Sequence, residues 1–524
     1  MTFANENTYQ RMKTSNSEAD FHSKYEKALE EVRHKLGRTF PSYISGSEHF
    51  SKEGTFEVRS PQNTDLLVGR FQNCSRKDTA AAVLAASDAF DKWRDTDYRR
   101  RTAIVLKAAE IAVRRKFELA AMMTFENGKN RFEAVADVDE AIDFMRYYSE
   151  LMSINRGYEV EMGRLAPSEK NRSVMRPYGV WGVIAPFNFP FAIACGMTTG
   201  AVITGNTAVL KPSSSTPLMS LMLYSIYAEA GLPPGVLNYI TGPGSVVGAE
   251  LIENEHVAGI VFTGSRDVGI SSARQFNRDG FRPFIAEMGG KNVVIVTEHA
   301  DLDKAAEGTA RAAFGFSGQK CSAASRVLVQ KTVSSKFLSK LVSFTVKLKA
   351  GDPSDANTFV GPVISEEAVR KFENAMVEAK EMGKVLAGGH VLREGIFAKG
   401  FFVEPTIVTD LPSDSRLLRE ELFLPLLAVT EFGTFEEAIV IANSVDYGLT
   451  AGIFSEDERE VKKFFDRIEA GVCYSNKRSG ATTAAMVGAQ PFVGWKKSGS
   501  TGKGTGGIYY LLQFMREQAQ AVFS

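Results

Sequence analysis

The chain has 524 residues, 44% of them hydrophobic and 24% charged, which is too long for one ordinary core and fits two or three domains with buried interiors. Lys plus Arg balances Asp plus Glu at 62 each, so no global field recruits nucleic acid or an acidic membrane surface. The four cysteines, Cys74, Cys195, Cys321 and Cys473, lie far apart; this spacing suggests neither a disulfide framework nor a metal site and points to a reducing compartment.

The first twenty residues, MTFANENTYQRMKTSNSEAD, lack a signal-type apolar core and include acidic residues foreign to transit peptides, so a cytoplasmic location is expected. Residues 1–45 read as a polar extension outside the main domains, with a helix-like patch from Ser23 to Leu36. From Asp78 to Asn127 apolar residues such as Ile104, Ala108 and Ile111 recur at helical spacing, with Arg100, Lys107 and Arg114 on other faces. Gly128 stops that pattern, glycine being favoured just past a helix because it enters the left-handed region freely. A further helix is predicted from about Ala134 to Leu151.

No charge occurs between Arg176 and Lys211, a run long enough to be mistaken for a membrane span. Pro186, Asn188 and Pro190 interrupt it, so a buried soluble core is expected. Beyond Arg176 short apolar runs alternate with helical ones. Strands are predicted at Trp181–Ala185, Thr207–Lys211, Val236–Ile240, Gly259–Thr263 and Phe284–Glu287. This is βαβ alternation, which favours an open parallel sheet with its ligand beyond the strands' C-terminal ends. A second α/β block runs from Asn292 to about Tyr474, with strands at Val293–Val296, Val327–Val329 and Gly452–Phe454.

Three turns follow strands of the first block: Lys211-Pro212, the stretch Gly242 to Gly248 that includes Gly244, and Phe262 to Gly269 with Gly264-Ser265. Glycine lets backbone N–H groups approach a phosphate, the next helix presents its positive end, and a lysine can bond a ribose. Neither glycine turn has the usual dinucleotide spacing, so the clustering carries the inference. Glu287, between apolar residues and before Gly289-Gly290, is either a sheet-end surface residue or a base with a raised pKa. Asn188, in PFNFP, either caps a turn or donates to a developing oxyanion. Cys321, in FGFSGQKCSAASR (Phe314–Arg326), is either a small core hydrophobe or a presented thiol; its small, polar neighbours and Lys320 favour the thiol.

Asn188 in PFNFP, Lys211 in LKPS, Gly264-Ser265 in FTGS, Glu287 in EMGG, Cys321 in GQKCSAASR and Glu421 in ELFLP occur in an order that resembles the NAD(P)-dependent aldehyde dehydrogenase superfamily. The resemblance covers the chain from about residue 48. The N-terminal extension, Ser322 after the cysteine and the stretch Asn476 to Phe492 look most like the 1-pyrroline-5-carboxylate, or glutamate semialdehyde, dehydrogenases. The resemblance implies an α/β fold of two parallel-sheet domains, Rossmann-like and catalytic, plus a small β oligomerisation arm. It assigns 46–152 and 178–288 to NAD(P) binding, 289–499 to catalysis, and 153–177 with 500–524 to the arm.

By the same resemblance the Cys321 thiolate attacks the aldehyde, Asn188 and the Cys321 N–H hold the oxyanion, and Glu287 activates the water that hydrolyses the thioester. NAD or NADP would be held by Lys211, Ser214, Gly244, Gly264, Ser265, Glu421 and Phe423. Phe189, Ser322, Gly480 and Ala481 would hold the substrate, the last three through its α-carboxylate. These expectations agree with the chemistry of the residue types, since an ionised thiol is a good nucleophile and a preorganised amide donor lowers the barrier by roughly 3 kcal/mol.

Several positions depart from the family pattern. Ser214 stands where NAD-selective members have a glutamate, which removes repulsion against a 2′-phosphate and predicts use of NADP as well as NAD. Leu424 and Val493 each replace a glycine. The loop Asn476 to Gln490 is about three residues longer than the branch pattern. The expected reaction is oxidation of glutamate γ-semialdehyde to glutamate; the alternative is another small semialdehyde or polar aldehyde. Glu287 argues against a CoA-acylating relative, and Cys321, Glu287 and Asn188 together argue against a non-catalytic descendant. The polar segment from Ser153 to Pro177 and the aromatic run Ile508 to Phe514 have no obvious home in either block. Family members pair these elements across a dimer, so a homodimer or higher homo-oligomer is expected.

Overall fold

The computed structural model describes residues 17–478 and 486–523. Five strands of the first block lie parallel in the spatial order Phe284–Glu287, Val257–Thr263, Val180–Ile184, Thr207–Lys211 and Leu237–Tyr239. A hairpin, Ser42–Ile44 and Ser47–His49, continues the sheet antiparallel to Leu237–Tyr239. Every residue of Thr207–Lys211 and Leu237–Tyr239 is buried, as expected where helices cover both faces of a sheet. From Val180–Ile184 the chain builds outward to one side, then returns to place Val257–Thr263 on the other. The order therefore reverses between these two strands, and a crevice for a ligand opens at their C-terminal ends.

The second sheet runs Lys384–Ala387, Thr406–Thr409, Leu426–Phe432, Ala324–Gln330, Asn292–Val296, Thr450–Phe454 and Val472–Ser475. All are parallel except the Lys384–Ala387 edge, which pairs antiparallel with Thr406–Thr409. A third, antiparallel sheet joins Glu159–Glu161, Glu169–Pro177 and Met515–Phe523. It forms an arm with an unbroken register from Met515 opposite Pro177 to Phe523 opposite Glu169.

Two sequence expectations change. The helix Glu18–Arg33 is not outside the main body: Phe21, Tyr25 and Val32 are fully buried in the core that also holds Phe125. The Phe21 ring stacks on Phe132 at 5.8 Å between centroids, and the Tyr25 hydroxyl donates to the Ala120 carbonyl at 3.1 Å. Its apolar stripe at i, i+4 spacing is diluted by charged neighbours, yet each buried aromatic side chain contributes roughly 1.5–3 kcal/mol. The run Ile508 to Phe514 also has a home. Tyr510, Leu511 and Phe514 are fully buried, with the Phe514 ring 4.6 Å from that of Trp181. A Cβ on Gly200 would stand 2.6 Å from that same Phe514 ring.

The helix pattern from Asp78 resolves into Arg76–Arg94, Tyr98–Arg114 and Lys116–Asn127, and the last ends on Gly128 at φ 77°. Lys211 and the uncharged stretch before it form the strand Val180–Ile184, the helix Ala192–Ile203 and the strand Thr207–Lys211. Among the described residues no helix is long and apolar enough to cross a membrane.

Candidate active site

The chain reaches Cys321 through a sharp bend. Phe316, Ser317 and Gly318 all have positive φ, at 48°, 55° and 69°, which for the two non-glycine residues costs on the order of 1–3 kcal/mol each. Buried hydrogen bonds hold the bend: Ser317 Oγ donates to Gly361 O at 2.7 Å, Gln319 Nε2 to Pro362 O at 3.2 Å, and Ile364 N to Gln319 Oε1 at 2.8 Å. Gly318 is packed so closely on the next segment that a Cβ would stand 2.3 Å from Leu424 O. The Leu424 side chain itself is buried among Leu417, Leu422 and Leu426, so its replacement of glycine adds to a core rather than to the site.

Cys321 sits where two cavities meet. One is a mostly apolar pocket whose lining includes Phe144, Phe189, Glu287, Cys321, Ser322 and Tyr510. The other is an open cleft whose lining includes Asn188, Lys211, Gly264, Cys321, Glu421 and Phe423. Asn188 is almost fully buried and belongs to a turn held by the Asn127 carboxamide, which donates to Phe187 O at 3.1 Å. Glu287 ends the Phe284–Glu287 strand, pairs in register with Thr263, and leaves Oε2 buried with no hydrogen-bond partner. Burial pushes its carboxyl well above the usual range, opposed only by the Gly494 N–H.

Burial likewise pushes the Cys321 thiol up, and the carboxylates of Glu421, Glu287 and Glu140 push the same way, while the Ser322 N–H acts in the opposite sense. Lys320, the cation read beside the cysteine, is buried and paired with Glu133 at 2.6 Å. Burial thus favours the uncharged form of both groups, so each must give up a proton before Cys321 can act as a nucleophile and Glu287 as a base.

The cleft meets the demands of a phosphate-bearing nucleotide. Ser265 precedes the helix Arg266–Phe276 without a side-chain cap of its own, so the first N–H groups of that helix remain available to a phosphate at the mouth of the crevice. Gly264 has no room for a Cβ, which would stand 2.6 Å from the Phe262 ring. Burial lowers Lys211 to about 8, and its Nζ donates to Pro212 O at 2.8 Å. Ser214 Oγ donates to Gly242 O at 3.3 Å. Glu421 is raised to about 7, chiefly by burial, and accepts from Gly290 N at 3.0 Å. Phe423 has φ 60° and meets Phe187 edge to face at 5.7 Å.

Gly244 alone of the expected cofactor residues is not among those lining the cleft; it opens the turn Gly244–Gly248. Ser322 is buried and lines the apolar pocket with Phe189. Gly480 and Ala481 lie outside the described residues. Sequence reading missed Phe144, Ile193, Met197, Phe492, Thr505 and Tyr510 in the pocket, and Arg266, Lys371 and Tyr447 in the cleft. Phe144 lies in a predicted helix and Tyr510 in the aromatic C-terminal run, but nothing in a single sequence shows that helix and run converge. Val493 places its carbonyl 2.0 Å from where a Gly471 Cβ would be; nothing in the structure explains its side chain.

A family model described as the aldehyde dehydrogenase family matches residues 49–519. A curated relative, 1-pyrroline-5-carboxylate dehydrogenase of Geobacillus sp., is 39% identical over 508 residues, covering 95% of this chain and 96% of the relative. The crystal structure of 1-pyrroline-5-carboxylate dehydrogenase from Thermus with bound NAD superposes with a TM-score of 0.92 at 36% identity, covering 100% of this chain and 98% of the other. A betaine aldehyde dehydrogenase from Staphylococcus aureus in complex with NAD+ gives 0.88 at 29% identity, covering 94% and 95%.

Proposed function

Because the chain belongs to the aldehyde dehydrogenase family, we propose that it oxidises L-glutamate γ-semialdehyde, the open form of 1-pyrroline-5-carboxylate, to L-glutamate with NAD or NADP. The observation that carries this reading is the place of Cys321 at the junction of the two cavities, with Glu287 on one side and Asn188 and Glu421 on the other. The relatives' names supply the substrate.

In this mechanism the Cys321 sulfur adds to the aldehyde carbon, and the oxygen that becomes negative is held by the Asn188 amide and the Cys321 N–H. Such preorganised donors cost no reorganisation as charge develops. A nicotinamide held in the cleft would supply the hydride acceptor, and the acyl group would then remain on Cys321 as a thioester. Glu287 then takes a proton from water, which attacks the thioester and releases the acid and the thiol. Glu421 and Lys211 would hold the two riboses, and Gly264, Ser265 and the helix start after them the phosphates. Ser322 with the loop containing Gly480 and Ala481 would hold the α-carboxylate, and the rings of Phe189 and Phe492 would enclose the aliphatic chain.

The chain would work in the cytoplasm as a homodimer or larger assembly built through the arm. The arm exposes Val160, Met162, Leu165, Val522 and Phe523, with Leu165 at 96% and Phe523 at 71% exposure, surface that a second copy would cover. The substrate is tested by kcat/KM across a panel of aldehydes: pyrroline carboxylate is expected to lead, and a tenfold better semialdehyde without the α-amino acid group would overturn the assignment.

A further inference from the structure

The Cys321 loop is pinned from beneath by one buried side chain that no step above uses. Asn292, 3% exposed at the start of the strand Asn292–Val296, donates from Nδ2 to Cys321 O at 2.6 Å and to Ala323 O at 2.8 Å. Its Oδ1 accepts from Thr450 N at 2.9 Å. All three partners are backbone groups, and Thr450 Oγ1 adds a bond to Ser322 O at 3.3 Å. The packing is close enough to demand glycine beside it, since a Cβ on Gly290 would stand 2.4 Å from Asn292 Oδ1 and 2.7 Å from Cys321 O.

This contact has a directional consequence. The peptide between Cys321 and Ser322 is trans, so fixing its carbonyl on one side turns its N–H to the other. That N–H, of Ser322, is the hydrogen bond that favours the charged form of the Cys321 sulfur, against Glu421, Glu287 and Glu140 facing it. We propose that Asn292 is a positioning residue for the nucleophile: by holding the Cys321 carbonyl it aims the Ser322 N–H at the sulfur and fixes the angle at which the sulfur meets the aldehyde. A simpler packing role would need a side chain of this volume but not its two donors.

The inference rests on Cys321 being the nucleophile, and its test reads the sulfur directly with no aldehyde present. Iodoacetamide alkylation is followed on the Cys321 peptide by mass spectrometry across pH, for wild type, Asn292→Ala and Asn292→Asp. The aspartate keeps the volume and the acceptor for Thr450 N but has no donor for the two carbonyls. Binding of NADH, read by fluorescence, certifies the fold of each variant. Both variants are expected to alkylate about tenfold more slowly on the rising limb, equivalent to about one pH unit, and to lose kcat with little change in the affinity for NADH. An aspartate variant that binds NADH and alkylates on the wild-type profile would overturn the proposal. Should Cys321→Ala retain turnover while the alkylation profiles shift, the proposed function fails and the placement by Asn292 stands.

Discussion

Glu421 lies directly over Gly289: a Cβ at position 289 would stand 1.9 Å from Oε2 and 2.5 Å from Oε1 of Glu421. The next N–H, of Gly290, donates to Oε1 at 3.0 Å. The two glycines after Glu287 are therefore a seat for the carboxylate expected to hold the nicotinamide ribose, not a flexible spacer. Gly289→Ala must displace Glu421, and the expected outcome is a rise of about tenfold in the cofactor KM, worth roughly 1.4 kcal/mol. Steady-state kinetics at saturating aldehyde checks it; an unchanged cofactor KM would separate Glu421 from the ribose.

A second buried carboxyl gives a pH test of stability. Glu126 accepts from Leu218 N at 2.5 Å and Met219 N at 3.1 Å, and burial raises it to about 8 despite those donors. The unfolded chain ionises this group near the ordinary value of about 4.3. Between there and about 8 the unfolded state binds fewer protons, so this group makes stability fall as pH rises, by up to about 1.4 kcal/mol per unit. Glu126→Gln keeps an acceptor and cannot ionise. Thermal unfolding should show wild type losing stability relative to the variant as pH rises from about 5 to about 8; parallel curves would contradict the raised carboxyl.

Cofactor choice turns on Ser214. Its hydroxyl is engaged with Gly242 O and brings no charge to the adenosine ribose. Wild type is expected to use NADP as well as NAD, and Ser214→Glu to shift the ratio of kcat/KM toward NAD by at least tenfold through repulsion of a 2′-phosphate. A wild-type preference for NAD above a hundredfold would refute this reading.

The arm makes a prediction about mass. Replacing exposed Leu165 and Phe523 together by Asp places charge where a second copy would bury apolar surface. Light scattering should show a multimer for wild type and a smaller species for the double variant. A strict monomer in both would count against the arm as an interface.

The strands Thr207–Lys211 and Phe284–Glu287 have the bounds read from sequence, because a short apolar run bounded by polar or proline residues leaves little freedom. Strands Thr406–Thr409, Leu426–Phe432 and Val472–Ser475 escaped because longer, mixed segments around them carry no clean period. The bend at Phe316 and Ser317 was legible only as small, polar composition; left-handed φ at a phenylalanine has no sequence signal, since the surrounding packing imposes it. The N-terminal helix and the run to Phe514 give no sign of their packing for one reason: each is amphipathic by itself, and what covers its apolar side comes from distant sequence. In the sequence Asn292 marks only the start of the second α/β block, and the fold alone sets its amide beneath Cys321.

In the proposed mechanism Cys321 carries the acyl group and Glu287 directs water to release it. Glu287→Gln enzyme mixed with pyrroline carboxylate and NAD is the most direct test, since loss of a positioned base slows its step by about 10²–10⁴-fold. One burst of NADH per site and a glutamyl thioester on the Cys321 peptide by mass spectrometry are expected. Steady turnover at the wild-type rate, with no adduct on Cys321, would contradict it.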